Sequence, residues 1–383
     1  METPLNALGA PVRPAHARIP GDIAHAADYE RHAVHHVEAG AWRHIQGGSD
    51  QGLTLAHNRA AFDRLLLLPQ PVGSLRGGHT RLTLLGQALA HPLLVAPVAY
   101  QCLVHPEGEL ASVRAAMALQ AGYVASTLSS HTLEDIAAAA QGAAQELGQS
   151  PADRAPLWFQ LYAQPEREHT LALVRRAEAA GYQAIVWTVD AAVKRAGLAL
   201  PPGVQAANLR GFPAARHTAQ AGQGRILLGS PLADAAPTWD DLDWLRAHTR
   251  LPLLVKGVLA PAQAREAVAR GADALVVSNH GGRVMDGVPS PLDVLPAIRQ
   301  AVDVPLLLDS GVRWGTDAAK ALALGASAVL IGRPVLHALA VGGLPGVAHL
   351  LQLLRAELEL AMAQLGCARL EQLTPDRVWQ RTA

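Results

Sequence analysis

Beyond Pro92 the chain alternates between short apolar runs and alanine-rich segments with helical spacing. The apolar runs cover residues 93–99, 123–127, 157–162, 184–190, 252–258, 274–280, 305–311 and 328–334. Helical periodicity fills most of the intervals between them, as in residues 109–121, 168–180, 261–270 and 316–324. Apolar strands that alternate with helices are typical of a parallel sheet covered by helices. Eight such strands predict an α/β fold, a closed (β/α)8 TIM barrel. An open doubly wound sheet is the weaker alternative, because no glycine-rich dinucleotide fingerprint follows the first strand.

The segments around this repeat predict further helices. Helical spacing occurs in residues 28–40, 41–45 and 55–68, and again in residues 346–365. Residues 191–251 are too many for one connecting helix, so we expect a long loop after strand four, over the mouth of the barrel, and a helix starting near Thr238. Residues 1–27 contain four prolines and two glycines and are predicted to be a flexible N-terminal extension. Residues 28–383 are then a single barrel domain.

Composition narrows the classes of partner. The 383 residues include 32 basic and 32 acidic side chains, so net charge gives no reason to expect nucleic acid or a membrane surface as partner. Only Cys102 and Cys367 are present, and neither a signal pattern nor a membrane-length apolar run is found, so a cytoplasmic protein without disulfides is expected. Histidines cluster within residues 32–44, but no cluster of acidic or cysteine ligands accompanies them, and no metal site is predicted.

Polar side chains occur at the predicted ends of six consecutive strands. They are Gln160 and Tyr162, Thr188 and Asp190, Lys256, Ser278 with His280 and Arg283, Asp309 with Arg313, and Arg333. A buried polar group needs a partner, so six such strand ends in succession are hard to explain by core packing. Because barrels of this class carry their active sites at the carboxyl ends of the strands, these residues are predicted to surround the active site.

The stretch from Ala274 to Gly287, ALVVSNHGGRVMDG, concentrates this chemistry. An imidazole such as that of His280 exchanges a proton near neutral pH, and a guanidinium such as that of Arg283 binds a carboxylate with two hydrogen bonds. Gly281 and Gly282 allow positive φ or a close approach to a flat ligand. An ordinary strand-to-helix turn is the alternative for this stretch taken by itself.

A second group of residues follows the last two predicted strands. Gly311, Arg313, Gly332 and Arg333 stand where barrels commonly build a phosphate site from glycine amides, a helix N-terminus and arginine. Together with the glycine-rich loop after strand six, this group predicts a phosphorylated cofactor that carries a ring system.

These motifs resemble the FMN-dependent α-hydroxy-acid oxidase and dehydrogenase family, which includes glycolate, lactate and mandelate-oxidising enzymes. The resemblance extends over roughly residues 28–370. It rests on VAPVAYQCLVHPEGELA (95–111), STLSS (126–130), FQLY (159–162), TVD (188–190), LVKG (254–257), SNHGGRVMDG (278–287), DSGVRWGTDAAKALALGA (309–326) and IGRP (331–334).

The resemblance implies FMN as cofactor and a 2-hydroxy acid as small-molecule substrate. The positions that match the family's FMN-binding residues are Pro97, Val98, Ala99, Ser129, Gln160, Thr188, Lys256, Ser278, Asp309, Ser310, Gly311, Arg313, Gly332 and Arg333. A lysine at position 256 beside the flavin favours electron acceptance, since negative charge develops there on reduction. The resemblance also implies a homotetramer or octamer.

The resemblance assigns catalytic roles as well. His280 matches the base, Asp190 the carboxylate that orients it, Arg283 the group that binds the substrate carboxylate, and Tyr162 a hydrogen-bonding partner of the substrate. The reaction implied is oxidation of an (S)-2-hydroxy acid to the 2-oxo acid. Hydride transfer with removal of the hydroxyl proton and abstraction of the α-proton are both open.

Three positions depart from the family pattern. His44 stands where the family has a substrate-binding tyrosine, and Arg195 is the candidate replacement for a second carboxylate-binding arginine, because AAVKR follows Asp190. Ser310 replaces a glycine and places a hydroxymethyl group near the flavin phosphate or ribityl chain. The first two departures point to a larger or atypical substrate. Two alternatives follow: a flavin-binding barrel with a decayed substrate site, and a non-redox isomerase on a related phosphate-binding barrel.

Overall fold

The computed structural model describes residues 4–150, 154–191, 200–212, 228–229, 233 and 236–380. Its strands are β1 (Leu65–Leu67), β2 (Leu82–Leu84), β3 (Gln87–Leu89), β4 (Leu93–Val95), β5 (Gly122–Ser126), β6 (Leu157–Leu161), β7 (Ile185–Thr188), β8 (Leu253–Val258), β9 (Ala274–Val277), β10 (Leu306–Leu308), β11 (Ala328–Ile331) and β12 (Val378–Gln380). Its α-helices are α1 (Asp28–Ala33), α2 (Ala39–Gln46), α3 (Leu53–Arg64), α4 (Gly108–Ala118), α5 (Leu133–Glu146), α6 (Arg167–Ala179), α7 (Trp239–His248), α8 (Pro261–Ala269), α9 (Pro291–Ala301), α10 (Gly315–Ala323) and α11 (Arg333–Gln364).

Strands β4 to β11 form a closed barrel in which each strand runs parallel to the next in the chain and β11 pairs with β4. All eight predicted strands are therefore confirmed, as is the (β/α)8 architecture. Residues on both faces of these strands are apolar because one face fills the barrel and the other packs under the helices. The interior is filled by side chains from all eight strands, among them Leu94, Val124, Trp158, Val186, Leu254, Val276, Leu307 and Leu330.

A hairpin closes the amino-terminal end of the barrel. Strands β2 and β3 pair antiparallel, and they place Leu84 and Leu89 against the interior cluster. The indole Nε1 of Trp158, inside the barrel, donates to Gln87 Oε1 at 2.8 Å. Since this end is plugged, the functional residues at the carboxyl ends of the strands lie at the opposite end.

Two of the predicted helices are shorter than their sequence pattern. The segment predicted as helix 28–40 ends at Ala33, and the next helix starts at Ala39. The segment predicted as helix 55–68 ends at Arg64, because residues 65–67 become strand β1 and pair antiparallel with β12. The partner strand comes from the other end of the chain, so local periodicity carries no sign of it.

Residues 4–27 lie against the body of the protein, so the prediction of a flexible extension is wrong for them. Ile23 and Ala26 are buried, and the backbone amide of His16 donates to Val341 O at 2.7 Å. The amide of Arg13 donates to His35 O at 2.9 Å. Prolines remove amide donors from this segment, but the amides of Arg13 and His16 bond carbonyls just after α1 and on α11.

The C-terminal helix α11 packs against α4, α10 and α1. It bends at Gly342 and Gly343, whose φ/ψ angles are not helical. Its length and hydropathy suit a membrane span, yet 78% of the apolar window is buried within the protein, as in the core helix of a soluble domain. The predicted helix 346–365 is its second half.

The interval 191–251 is described in part. Residues 207–209 form a 3-10 turn beside the loop after β5, and the side chain of Asn208 donates to the carbonyls of Ser126 and Thr127 at 3.3 Å. Helix α7 starts at Trp239, as predicted, and Thr238 and Asp241 form a capping box at its N-terminus. Residues 192–199, 213–227, 230–232 and 234–235 of the predicted mouth-covering loop lie outside the described residues.

Candidate active site

His280, Asp190 and Tyr162 meet at the carboxyl end of the barrel. His280 Nδ1 lies 2.8 Å from Asp190 Oδ1, and its Nε2 lies 3.3 Å from the Tyr162 hydroxyl. A carboxylate accepts only, so Nδ1 carries the proton, and Nε2 of the neutral ring accepts from Tyr162. This tautomer leaves Nε2 as the basic nitrogen on the side of Tyr162. Burial, and then the charge of Asp190, raise the pKa of Tyr162, which therefore stays a neutral donor.

The loop that carries His280 has an unusual backbone. His280, Gly281 and Gly282 all have positive φ, of 57°, 67° and 72°. The predicted freedom of the two glycines is thus used, and a second reason for them is steric. A Cβ at Gly282 would lie 2.7 Å from Leu55 N, and one at Gly281 would lie 2.8 Å from Arg333 Nη1. Left-handed backbone at a non-glycine residue is strained and is common at functional sites.

Gly257 has a role that sequence reasoning missed. It sits at a register shift between β8 and β9, with φ of 109°, and a Cβ there would lie 2.6 Å from Asp190 Cβ. A glycine at this bulge is what lets Asp190 reach His280. The motif LVKG includes it, and a glycine at a strand end beside a catalytic lysine is the signal that was available.

Lys256 is a buried cation between two neighbouring strands. Its Nζ donates to Ser278 Oγ at 2.8 Å and lies 3.1 Å from Asp309 Oδ2. Burial opposes the charge, but the carboxylates of Asp309 and Asp190 outweigh it and raise the pKa of Lys256. The ammonium is therefore a fixed positive charge next to the His280–Asp190 pair.

Arg283 and Arg333 converge on the segment after α2. Arg283 Nη1 donates to His44 O at 2.6 Å, and Arg333 Nη2 donates to Gly47 O at 2.8 Å, an oxygen that also accepts from Arg283. Burial, and then Arg283 and Arg313, lower the pKa of Arg333 to about 9. Neighbouring guanidiniums that lower one another's pKa form a positively charged region, and such a region favours the binding of anions.

His44 lies directly beside Arg283, as the predicted substrate-binding position requires. Both of its ring nitrogens lie 3.2 Å from Arg283 Nη2. A guanidinium nitrogen equidistant from both ring nitrogens contacts the ring as a whole rather than one lone pair. The imidazole thus lies beside Arg283 at the position where the family pattern has a tyrosine.

The hydroxyl of Ser310 binds protein groups rather than pointing freely into the cofactor region. It donates to Asp309 Oδ1 at 2.7 Å and accepts from the Gly281 amide at 2.9 Å. Ser310 has φ of 72°, a conformation that favours the glycine it replaces. The serine therefore ties the loop after β10 to the loop that carries His280.

The predicted phosphate corner is built from the ends of β10 and β11. Gly332 precedes α11, and Gly311 precedes α10 in a turn held by Arg59, which donates to Gly311 O at 2.6 Å and pairs with Asp317. A Cβ at Gly311 would lie 2.7 Å from Asn58 O, so this turn also packs against α3. Burial lowers the pKa of Arg313.

The remaining predicted cofactor positions lie on or after strands β4 to β7. Pro97, Val98 and Ala99 are half-buried directly after β4. Gln160 Nε2 and Thr188 Oγ1 are buried and have no hydrogen-bond partner within the described part of the chain. Ser129 is fully buried, and its hydroxyl bonds Ser126 O and Asn208 Nδ2, so it positions the 207–209 turn.

The structure brings the predicted residues into one region, with a single exception. Asp190 contacts His280, and its charge raises the pKa of Lys256. Tyr162 also contacts His280, and it raises the pKa of Arg283, although burial lowers that pKa by more. Arg195 lies outside the described residues. His280, Asp190, Arg283 and Arg333 all lie in this region, which does not favour the alternative of a decayed site.

Three proteins that are similar to this chain over most of its length are named as oxidases. A crystal structure of mandelate oxidase with (S)-2-phenylpropionate aligns with a TM-score of 0.80 and 40% identity, covering 93% of this chain and 98% of that one. An L-lactate oxidase of Alicycliphilus denitrificans is 53% identical, covering 94% of this chain and 97% of the relative. A 4-hydroxymandelate oxidase of Amycolatopsis orientalis is 43% identical, covering 89% and 94%.

The family model described as FMN-dependent dehydrogenase matches residues 33–380. This match identifies FMN as the cofactor and does not favour the isomerase alternative. The chain belongs to the FMN-dependent dehydrogenase family.

Proposed function

We propose that this protein oxidises an (S)-2-hydroxy acid to the corresponding 2-oxo acid with FMN as cofactor. The observation that carries the proposal is the His280 imidazole, held by Asp190 with its basic Nε2 next to Tyr162 and within the same cluster as Lys256 and Arg283. A base, a neutral donor and a carboxylate-binding cation are the three groups that a 2-hydroxy acid requires.

The residues present suit FMN. Gln160 Nε2 and Thr188 Oγ1 are buried polar atoms whose missing partners a flavin ring, with its polar edge, would supply. Lys256 would hold the pyrimidine side of the ring, and Arg313 and Arg333 the phosphate. When bound, FMN accepts the two electrons that leave the substrate.

Side chains of the protein accept the proton that leaves the substrate and bind the substrate carboxylate. Nε2 of His280 takes up the proton released on oxidation, and Asp190 stabilises the resulting imidazolium through Nδ1. Tyr162 donates toward the substrate oxygen, and Arg283 binds the carboxylate, with His44 beside it. Burial of this region strengthens each of these interactions.

The substrate class follows from the relatives in part. L-Lactate is the first compound to test because an L-lactate oxidase is 53% identical, and mandelate is second because of the 4-hydroxymandelate oxidase and the mandelate oxidase structure. His44 in place of a tyrosine favours a larger or atypical substrate over the smallest ones. The names of these relatives also support oxygen as electron acceptor.

An anaerobic titration tests the function. The purified yellow protein is mixed without oxygen with L-lactate, (S)-mandelate and longer aliphatic (S)-2-hydroxy acids, and we expect the flavin absorbance to bleach with at least one. The His280→Ala variant should keep its flavin and lose turnover by ~10²–10⁴, the usual worth of a general base. A protein that holds flavin but is not bleached by any of the panel contradicts the proposal.

We also propose that the protein works as a homo-oligomer in the cytoplasm. The exposed apolar side chains of Leu66, Leu68, Val72 and Trp379 support an interface between copies of this chain. The two free cysteines support a reducing compartment. Light scattering during size-exclusion chromatography measures the mass directly, and a monomer would refute the first part.

A further inference from the structure

We propose that Cys102, Glu109 and His131 form a binding site for a zinc-like divalent cation on the loops that follow β4 and β5. One ligand atom from each of the three residues lies within 4.8 Å of the other two. Cys102 and Glu109 come from the loop after β4 and the first turn of α4, and His131 comes from the loop after β5. None of these three residues belongs to the histidine cluster within residues 32–44.

The distance between two of the ligands already suits one metal ion. Cys102 Sγ lies 3.5 Å from His131 Nε2. Sulfur at about 2.3 Å and nitrogen at about 2.0 Å from a tetrahedral zinc ion are about 3.5 Å from each other. The carboxylate needs only a small movement to complete three protein ligands, which leaves the fourth position to water.

Glu109 supplies the second, independent observation. The residue is fully buried, and its Oε1 accepts from the amides of Gln101 at 3.0 Å and Ser130 at 2.9 Å. Its Oε2 is buried with no hydrogen-bond partner within the described part of the chain. Burial raises the pKa of this carboxyl against the effect of the two amides. A buried carboxylate that is oriented through one oxygen and unsatisfied at the other is suited to bind a cation.

The backbone leaves room for the thiol to act as a ligand. A Cβ at Gly108 would lie 2.8 Å from Cys102 Sγ, so only glycine at this turn keeps the space beside the sulfur clear. The thiol donates to Pro106 O at 3.3 Å, and the Cys102 amide donates to Ser130 Oγ at 3.2 Å. Cation binding replaces the thiol proton, which passes to solvent, and so overcomes the burial that raises the pKa of Cys102.

The mixed donor set selects the type of cation. Thiolate, imidazole and carboxylate together suit zinc and similar borderline ions, whereas magnesium and calcium prefer oxygen ligands alone. The site would tie the loop after β4 to the loop after β5, which Glu109 and Ser130 already connect. We therefore assign it a structural role, with no part in electron transfer.

Metal retention by the flavin-loaded protein tests this site. The protein is stripped with a chelator, incubated with zinc in a non-thiol reductant, gel-filtered and analysed by elemental mass spectrometry. We expect about one zinc per chain, and a loss of at least ~10-fold in affinity for Cys102→Ser and for His131→Asn. Cys367→Ala, which removes the other, buried cysteine, is the matched control and should bind zinc like the wild type.

Thiol protection gives a second readout that does not depend on turnover. Zinc should slow alkylation of Cys102 in the wild type and in Cys367→Ala, and should not slow it in His131→Asn. Equal zinc retention by the wild type and both ligand variants would overturn the proposal, as would a wild type that retains none. Flavin content and flavin bleaching are measured on the same samples, so failure of this site is distinguishable from failure of the proposed oxidation.

Discussion

At the scale of single residues, the carboxylate of Asp190 determines which nitrogen of His280 is basic. The amide in Asp190→Asn would preserve the volume, but its NH₂ group can donate to Nδ1 and so favour the tautomer with the proton on Nε2. Nε2 then no longer accepts a proton. We expect kcat with the best hydroxy acid to fall by ~10²–10⁴ while flavin remains bound.

Steady-state turnover and the flavin spectrum of Asp190→Asn measure these two effects separately. Asp293 offers a matched control, since its carboxylate lies 2.9 Å from His57 Nε2 in a partly exposed carboxylate–imidazole pair away from the site. Asp293→Asn should keep wild-type kcat. Full activity in Asp190→Asn would show that this carboxylate does not set the protonation of the base.

Polar residues of the candidate site are easier to predict from the sequence than the glycines whose small size lets those residues pack together. His280, Asp190, Lys256 and Arg283 stand out because polar groups at strand ends are costly unless they are used. Gly257 was missed, because its importance lies in a contact of 2.6 Å between a hypothetical Cβ and Asp190 Cβ across two strands. The glycine after Lys256 can signal a bulge in β8, but the contact with Asp190 depends on the tertiary structure.

At the scale of elements, the end of the His280 loop serves a helix. Asp286 accepts from the amides of Gln51, Leu53 and Thr54 at 2.9, 3.2 and 3.0 Å, and so caps the N-terminus of α3. Helix α3 in turn carries Arg59 and packs against Gly282. The loop therefore links the catalytic histidine to an N-terminal helix through a cap rather than through the active site.

The Asp286 cap predicts how the stability of the folded protein depends on pH. The amides of Thr54, Leu53 and Gln51 hold the pKa of Asp286 below its usual range. A lowered folded-state pKa contributes stability that is fully present above the unfolded value, about 3.9, and is lost as pH falls through the folded value. Asp286→Ala should thus unfold at a lower temperature than the wild type near neutral pH, and the difference should shrink below about pH 4.

Thermal unfolding of apo-protein at a series of pH values measures this difference. Asp286→Asn keeps an oxygen acceptor but has no charge to titrate, so it should lie between the other two proteins at neutral pH. A gap between wild type and Asp286→Ala that is the same at pH 7 and pH 3 would contradict the role of the charge.

The elements of the barrel were predictable for a physical reason that does not hold for the flanking ones. Each barrel strand is buried on both faces, which leaves a short, fully apolar run in the sequence. Strand β1 was taken as part of a helix because its antiparallel partner is residues 378–380, more than three hundred positions later. Pairing over such a distance is decided by the tertiary structure.

At the scale of the whole molecule, the N-terminal segment joins α1 to the C-terminal helix. His36 Nδ1 donates to Pro14 O at 2.9 Å, and the rings of His16 and His36 meet edge to face with centroids 4.7 Å apart. Proline content suggested a flexible segment because it argues against helix and strand. It does not argue against packing of an irregular segment whose amides are bonded.

Removing residues 1–18 tests whether this segment stabilises the protein. The deletion would remove the bonds from Arg13 to His35 O and from His16 to Val341 O, and would expose His36, whose pKa burial and His16 now lower. Each lost hydrogen bond is worth about 1 kcal/mol, so we expect the melting temperature to fall by several degrees. A chain that lacks only residues 1–3 keeps these bonds and is the control. Flavin content and bleaching should be unchanged, because His35, His36 and Val341 are not among the residues of the candidate active site.

Loss of flavin from the longer deletion would mean that the segment supports the barrel mouth, and an unchanged melting temperature would mean that its contacts add nothing to stability.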